Sequence, residues 1–177
     1  MRGARLRFGA ALMLAALLSA CLRSLPARPP VQPQPVFDPI AFFSGHTRGE
    51  GTLDVRFGKA RSLTVDGMGR TNADGTFTLD QTVTYGDGAV ETRRWVLRRT
   101  DATHYSATLS DATGDVAAES EGTLFHLRYR IRSPHVYMEQ WLYLQPDGRS
   151  VLNQAEVSVL GVSWARLSET ITRVDTP

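Results

Sequence analysis

Arg93 and Trp95 are the residues of this 177-residue chain whose placement most invites chemistry. Alternation along Arg93-Arg94-Trp95-Val96-Leu97 puts Arg93, Trp95 and Leu97 on one face and Arg94, Val96 and Arg98 on the other. A cation on an apolar face must be paired, because burying it alone costs several kcal/mol. Two partners fit. Arg93 could grip a carboxylate or phosphate head group by a bidentate bond, with Trp95 packed on the apolar remainder of the ligand. It could equally close the end of the element that carries it, capping carbonyls or stacking on a ring. Gln81 and Asn153 are further polar residues on otherwise apolar faces, and Tyr85, Tyr129 and Trp141 are aromatic candidates for the same lining. Tyr137, Glu139, Trp141 and Tyr143 share a face opposite Val136, Met138, Leu142 and Leu144. A strand apolar on both sides belongs beneath a helical plug or at a partner interface.

Other chemistry lacks a supporting pattern. The four histidines, His46, His104, His126 and His135, form no H-x-x-H or H-E-x-x-H pair, and His126 falls on the arginine-rich side of its segment. No metal or haem site is expected. No G-x-S-x-G elbow presents a nucleophilic serine. With no catalytic constellation and no cofactor motif, the expectation is a binding protein and not an enzyme.

Cys21 is the only cysteine, and it stands behind Leu18-Ser19-Ala20. Upstream, Arg2, Arg5 and Arg7 precede an apolar run from Phe8 to Leu18, which is the order of a cleavable signal peptide over residues 1–20. That run is too short to span a bilayer, for which about twenty apolar residues are needed. The end of the segment resembles a bacterial lipobox. The resemblance implies cleavage before Cys21, lipidation of its thiol, and a membrane-anchored protein. Leu22 in place of Asp after the cysteine implies sorting to the outer membrane, facing the periplasm.

Loss of residues 1–20 moves the charge balance from 20 basic against 18 acidic residues to 17 against 18. A near-neutral chain without a Lys/Arg cluster has no electrostatic footprint for nucleic acid. Residues 22–36 carry five prolines (Pro26, Pro29, Pro30, Pro33, Pro35). Together with Cys21 this segment reads as a lipidated, proline-rich tether over 21–36. At about 3.1 Å per residue it would hold a domain up to roughly 45 Å from the lipid.

The elements that must position Arg93 and its companions occupy residues 37–174. Turn signals recur at Asp74-Gly75, Asp87-Gly88, Thr100-Asp101, Thr113-Gly114, Ser133-Pro134, Asp147-Gly148 and Leu160-Gly161. Between them lie period-two segments near 50–58, 61–72, 76–85, 90–99, 103–110, 116–122, 124–132, 135–145, 150–158 and 162–173. Nine or ten strands joined by short links predict an all-β, up-and-down antiparallel barrel, since closure removes the unpaired edges. Ahead of it, Asp38 as N-cap, Pro39 at the first helical position and Ile40-Ala41-Phe42-Phe43 predict one helical turn that ends near Gly45 and plugs one end.

Short helix, Gly45-x-x-x-Gly49-x-Gly51 and meander together resemble the calycin superfamily of lipocalins and related barrels, although His46 and Thr47 stand where those families often carry a tryptophan. A closer resemblance is to an uncharacterised family of bacterial lipoproteins, the domain of unknown function numbered thirty-eight thirty-three. It rests on Phe37-Asp38-Pro39 with Phe42-Phe43-x-Gly45, on Tyr85-Gly86-Asp87-Gly88, and on Arg93-x-Trp95. The resemblance implies a single lipocalin-like domain with no established activity. The residues themselves lead to the expectation of a small hydrophobic ligand such as a fatty acid or modified lipid, with Arg93, Trp95, Gln81, Tyr85, Tyr129 and Asn153 as candidate ligand-binding residues. The competing expectation is a barrel filled by its own side chains that works through its outer surface.

Overall fold

A computed structural model of the chain describes residues 22, 24–131 and 134–174. The signal segment and Cys21 lie outside the described residues. One helix, α1 (Pro39–Phe43), precedes ten strands: β1 (Gly45–Val55), β2 (Arg61–Thr71), β3 (Phe77–Tyr85), β4 (Val90–Arg99), β5 (His104–Leu109), β6 (Val116–Glu121), β7 (Leu124–Arg130), β8 (Val136–Leu144), β9 (Ser150–Val159) and β10 (Val162–Arg173). Each strand pairs antiparallel with its sequence neighbours, and β1 pairs with β10 to close the barrel. The fold is therefore the expected all-β up-and-down barrel.

Alternation carries the core. In β6 and β7 buried and more exposed positions alternate residue by residue, and Val116, Ala118, Phe125, Leu127 and Tyr129 enter one cluster with Phe77, Trp95, Leu142 and Val151. The tight links use the chemistry the dipeptides advertise: Gly75 and Gly88, each following an aspartate, sit at φ 78° and 86°, where a Cβ would be strained.

One boundary differs from expectation. β1 begins at Gly45, five residues before the predicted start, so the glycine-rich stretch is strand and not turn. Glycine inside a strand marks a close approach of another chain segment. Here a Cβ on Gly51 would lie 2.6 Å from the Ser168 carbonyl oxygen, and one on Gly49 would overlap the Glu169 carboxylate.

The helix closes one end as predicted. The Asp38 carboxylate accepts from the Ile40 and Ala41 amides at 3.0 and 3.2 Å, and its other oxygen accepts from Arg99. Phe42 and Phe43 are buried, and Phe37 packs edge-on against Phe42 and Phe125.

The expectation of a free-standing tether is corrected. Gln32 and Thr123 exchange hydrogen bonds, the Gln32 amide donating to the Thr123 hydroxyl at 3.0 Å and the Thr123 amide to the Gln32 carbonyl at 2.9 Å. Farther along, Arg28 stacks 3.5 Å above the Trp141 ring and Gln154 donates to the Pro26 carbonyl at 2.9 Å. Residues 26–36 thus form a strap along the outside of β8 and β9. Prolines favour this, because a polyproline segment leaves its carbonyls unpaired and lies extended at little entropic cost. The strap also explains why β8 is apolar on both sides: Trp141 and Tyr143 face outward beneath it, and Gln154, also outward, is fully buried. Replacement of residues 26–33 by Gly/Ser should lower stability by about 1–3 kcal/mol, the range for a few lost hydrogen bonds with buried partners left unsatisfied. An unchanged urea midpoint would mean that the strap contributes nothing.

Candidate ligand cavity inside the barrel

Because inward side chains come from every second residue of ten strands, the space they leave is decided by their sizes. Ala155 and Ala165 face Leu79, Val83 and Leu127 across a cavity of about 220 Å³, floored by Pro39 and Phe43 of α1. That volume exceeds the roughly 150 Å³ of an apolar void that takes up benzene. It falls below the roughly 300–1,000 Å³ of most drug-sized sites.

Two polar pairs interrupt the apolar wall. Across β3 and β4, Trp95 Nε1 donates to Gln81 Oε1 at 3.0 Å. Across β9 and β10, where Asn153 and Glu169 are register partners, Asn153 Nδ2 donates to Glu169 Oε2 at 2.9 Å. Gly49 is the reason Glu169 can be inside at all, since any side chain there would collide with its carboxylate. Among the described residues, Glu169 Oε1 and Asn153 Oδ1 are buried and have no hydrogen-bond partner. Burial pushes the Glu169 carboxyl up from the ordinary range, more strongly than the Asn153 amide and the Arg93 charge pull it down. The group is held toward its neutral, protonated form, in which it can donate as well as accept.

Arg93 stands where the cavity reaches the end opposite α1, with 26% of its side chain exposed. Its Nε lies 3.4 Å from Asp111 and its Nη2 donates to Glu91 at 3.3 Å. Tyr85 also donates to Glu91 at 3.3 Å, and Arg61 covers the Tyr85 ring at 4.0 Å while pairing with Asp87. Of the two partners open to Arg93, protein acceptors are the ones present.

Five of the six candidate residues, Gln81, Tyr85, Arg93, Trp95 and Asn153, line the cavity. Tyr129 does not: it packs edge-on against Trp95 at 5.4 Å and donates to the Met138 sulfur at 3.1 Å. Trp141 is corrected outright, for it lies on the outer face, stacked on His126 and covered by Arg28. His126 itself bonds Glu139 at 2.9 Å on that same face. Among the described residues no three metal-ligating side chains converge. Glu169 and Asp111 were missed. Glu169 had a legible signal, an acid at the inward position between Leu167 and Ile171, whereas Asp111 lies in a turn where no alternation marks it.

The state of Glu169 gives stability a pH dependence. An acid whose pKa is raised on folding keeps a proton that the unfolded chain releases, so stability is highest below its ordinary value near 4.5 and falls as pH rises toward the folded value. Glu169→Gln should remove this dependence: urea melts should find the variant more stable than wild type at pH 7–8, with the difference shrinking toward pH 4. An advantage independent of pH would show that Glu169 does not titrate in this window.

Comparison with known proteins agrees with this architecture. The S-type phycobiliprotein lyase CPES from Guillardia theta is similar in fold, with a TM-score of 0.63 at 8% sequence identity, over 78% of this chain and 92% of that one. No curated protein matches the chain. The family described as "Protein of unknown function (DUF3833)" matches residues 15–173, nearly the whole length from the end of the proposed signal segment to the last residue of β10, and the chain therefore belongs to that family.

Proposed function

We propose that this barrel binds a small, mostly apolar ligand that carries one uncharged hydrogen-bonding group, and that it does so from a lipid anchor on the envelope. The observation that carries the ligand is the Asn153–Glu169 pair: two polar side chains on an apolar cavity wall, each with a buried oxygen that no described residue satisfies. Buried polar atoms are normally satisfied, and a ligand hydroxyl could donate to Asn153 Oδ1 while a hydroxyl or carbonyl oxygen accepts from protonated Glu169. A free carboxylate fits less well than the sequence implied, because Arg93 is already held by Asp111 and Glu91. A modified or esterified lipid suits the cavity better than a fatty-acid anion.

Ala155→Phe is the direct test, since residue 155 faces the void and a ring there occupies the ligand's place. The variant should keep its urea midpoint within about 1.5 kcal/mol while losing at least about tenfold in affinity for a displaceable fluorescent lipid ester. Absence of any displaceable binding in the wild type at micromolar probe sinks the ligand.

A second reading has one observation in its favour. The structural neighbour is by name a lyase, and a buried acid whose carboxyl is pushed toward its protonated form is a proton donor placed for use. Mass spectrometry of a bound lipid ester after incubation separates the two: unchanged mass with wild type supports binding alone, and a changed mass that Glu169→Gln abolishes supports chemistry.

The anchor rests on Leu18-Ser19-Ala20-Cys21 and on the absence of any other thiol that could need a partner. Outer-membrane placement rests on Leu22. Cys21→Ser should leave the protein soluble or unprocessed, and recovery of that variant in membranes with a normally processed amino terminus removes the anchor.

A further inference from the structure

The rim of the barrel opposite α1 displays bulky apolar side chains in backbone conformations that disfavour them. The β9–β10 hairpin turns through Leu160 and Gly161 at φ 50° and 79°. Two successive positive φ values make a turn in which Asn-Gly or Asp-Gly is the favoured pair. Leucine there is conformationally costly, and with 74% of it exposed no burial offsets the cost. The β1–β2 link repeats the pattern with Phe57, at φ 61° and 64% exposed. Val162 and Trp164 stand beside them, half exposed, and the Phe57 and Trp164 rings meet edge-on at 6.3 Å. The Arg56 amide donates to the Trp164 carbonyl at 2.8 Å, so the two hairpins are tied together. Arg56 and Lys59 flank the apolar tips. The next stretch of the rim differs, since Asp87, Glu91 and Asp111 lie there, paired with Arg61 and Arg93.

The strap leads toward this rim. It leaves the plugged end at Gln32 and reaches the middle of β9 at Pro26, opposite Gln154. From Gln154 to the mouth end of β9 at Val159 is about 17 Å of strand. Five residue steps separate Pro26 from Cys21, a reach of at most about 17 Å. Continued in the direction the strap takes from Gln32 to Pro26, that length brings the cysteine read as the anchor toward the exposed apolar hairpins and away from α1.

We infer that the barrel rests mouth-down on a lipid bilayer, with Phe57, Leu160, Val162 and Trp164 in the interfacial layer. The inference builds on the proposed anchor. Tryptophan belongs at the lipid–water boundary, aliphatic tips reach the acyl region, and Arg56 and Lys59 meet anionic head groups. The acid-bearing side of the rim is repelled by the same head groups, so the barrel leans on its β1–β2 and β9–β10 hairpins. A cavity of about 220 Å³ cannot enclose a long lipid, and a mouth on the bilayer lets the remainder of the ligand stay in apolar surroundings.

Site-directed spin labels on the full chain test this. Val162→Cys reports the mouth and Ala73→Cys, in the exposed β2–β3 turn, the plugged end; the protein is purified from membranes and reconstituted in vesicles of phosphatidylethanolamine and phosphatidylglycerol at three to one. The label at 162 should show the oxygen-over-chelate accessibility of a lipid interface, and the label at 73 that of water. In the same anchored chain, adding Phe57→Ser and Trp164→Ser should lower the oxygen-over-chelate ratio at 162 to its aqueous value. Aqueous values at both positions, a lipid value at 73, or a ratio at 162 unaffected by the double substitution overturns the inference. Displacement of the fluorescent lipid ester in solution is measured alongside: retained binding with an aqueous label at 162 refutes only the orientation, and lost binding with an interfacial label refutes only the ligand.

Discussion

Contact between the first strand and the last is the constraint on which the other features depend. Ten antiparallel strands in an open sheet would leave two rows of unpaired amides and carbonyls, and the register from Thr47↔Arg173 to Val55↔Ala165 removes both. The pairing is eased by Gly51, where a Cβ would press on the β10 backbone at Ser168 and Glu169, and Gly49 leaves room for the Glu169 carboxylate. Closure and the interior carboxylate are therefore one event. Glu169 enters the barrel through the space those glycines leave, Asn153 follows as its register partner, and burial of the pair sets the charge state of the acid. An alanine at position 51 would press on the seam, and one at position 49 would displace the Glu169 carboxylate within the cavity.

The two ends of the barrel are built on opposite chemistry. At the helical end apolar rings fill the lumen, and the Asp38 cap and its bond to Arg99 fix the angle at which the chain enters. At the other end charges take the place of a lid: Arg61, Tyr85, Asp87, Glu91, Arg93 and Asp111 are joined by ion pairs, hydrogen bonds and a ring contact. Partly exposed pairs of this kind contribute little stability and rearrange readily, whereas the packed aromatic floor does neither. Access to the lumen is thus easier from the charged end.

Much of this was legible in the residues. Period-two alternation together with Asp-Gly turns gave the strand number, the antiparallel order and the inward position of Arg93, Trp95, Gln81, Tyr85 and Asn153, because the alternation records which face is buried. Asp38-Pro39 marked the helix to the residue, since capping is local chemistry. Three things escaped. The start of β1 escaped because glycine weakens a strand pattern, when here Gly51 supplies clearance for a neighbouring strand. Glu169 was overlooked for want of a rule that an acid on an apolar face demands as much explanation as a cation. The strap was invisible because proline-rich composition predicts extension and says nothing about what the extended chain lies against; only Gln154 and Trp141, outward and yet covered, reveal it.

The strap also orders events in time. Its partners lie far along the chain, at separations of 91 residues for Gln32 and Thr123 and 128 for Pro26 and Gln154. Contacts of such span form slowly, and a chain made from its amino end cannot form them until β8 and β9 exist. Residues 26–36 therefore dock only late in synthesis. They are drawn onto the barrel only as its last third is completed, and a docked strap is a sign that the chain is whole.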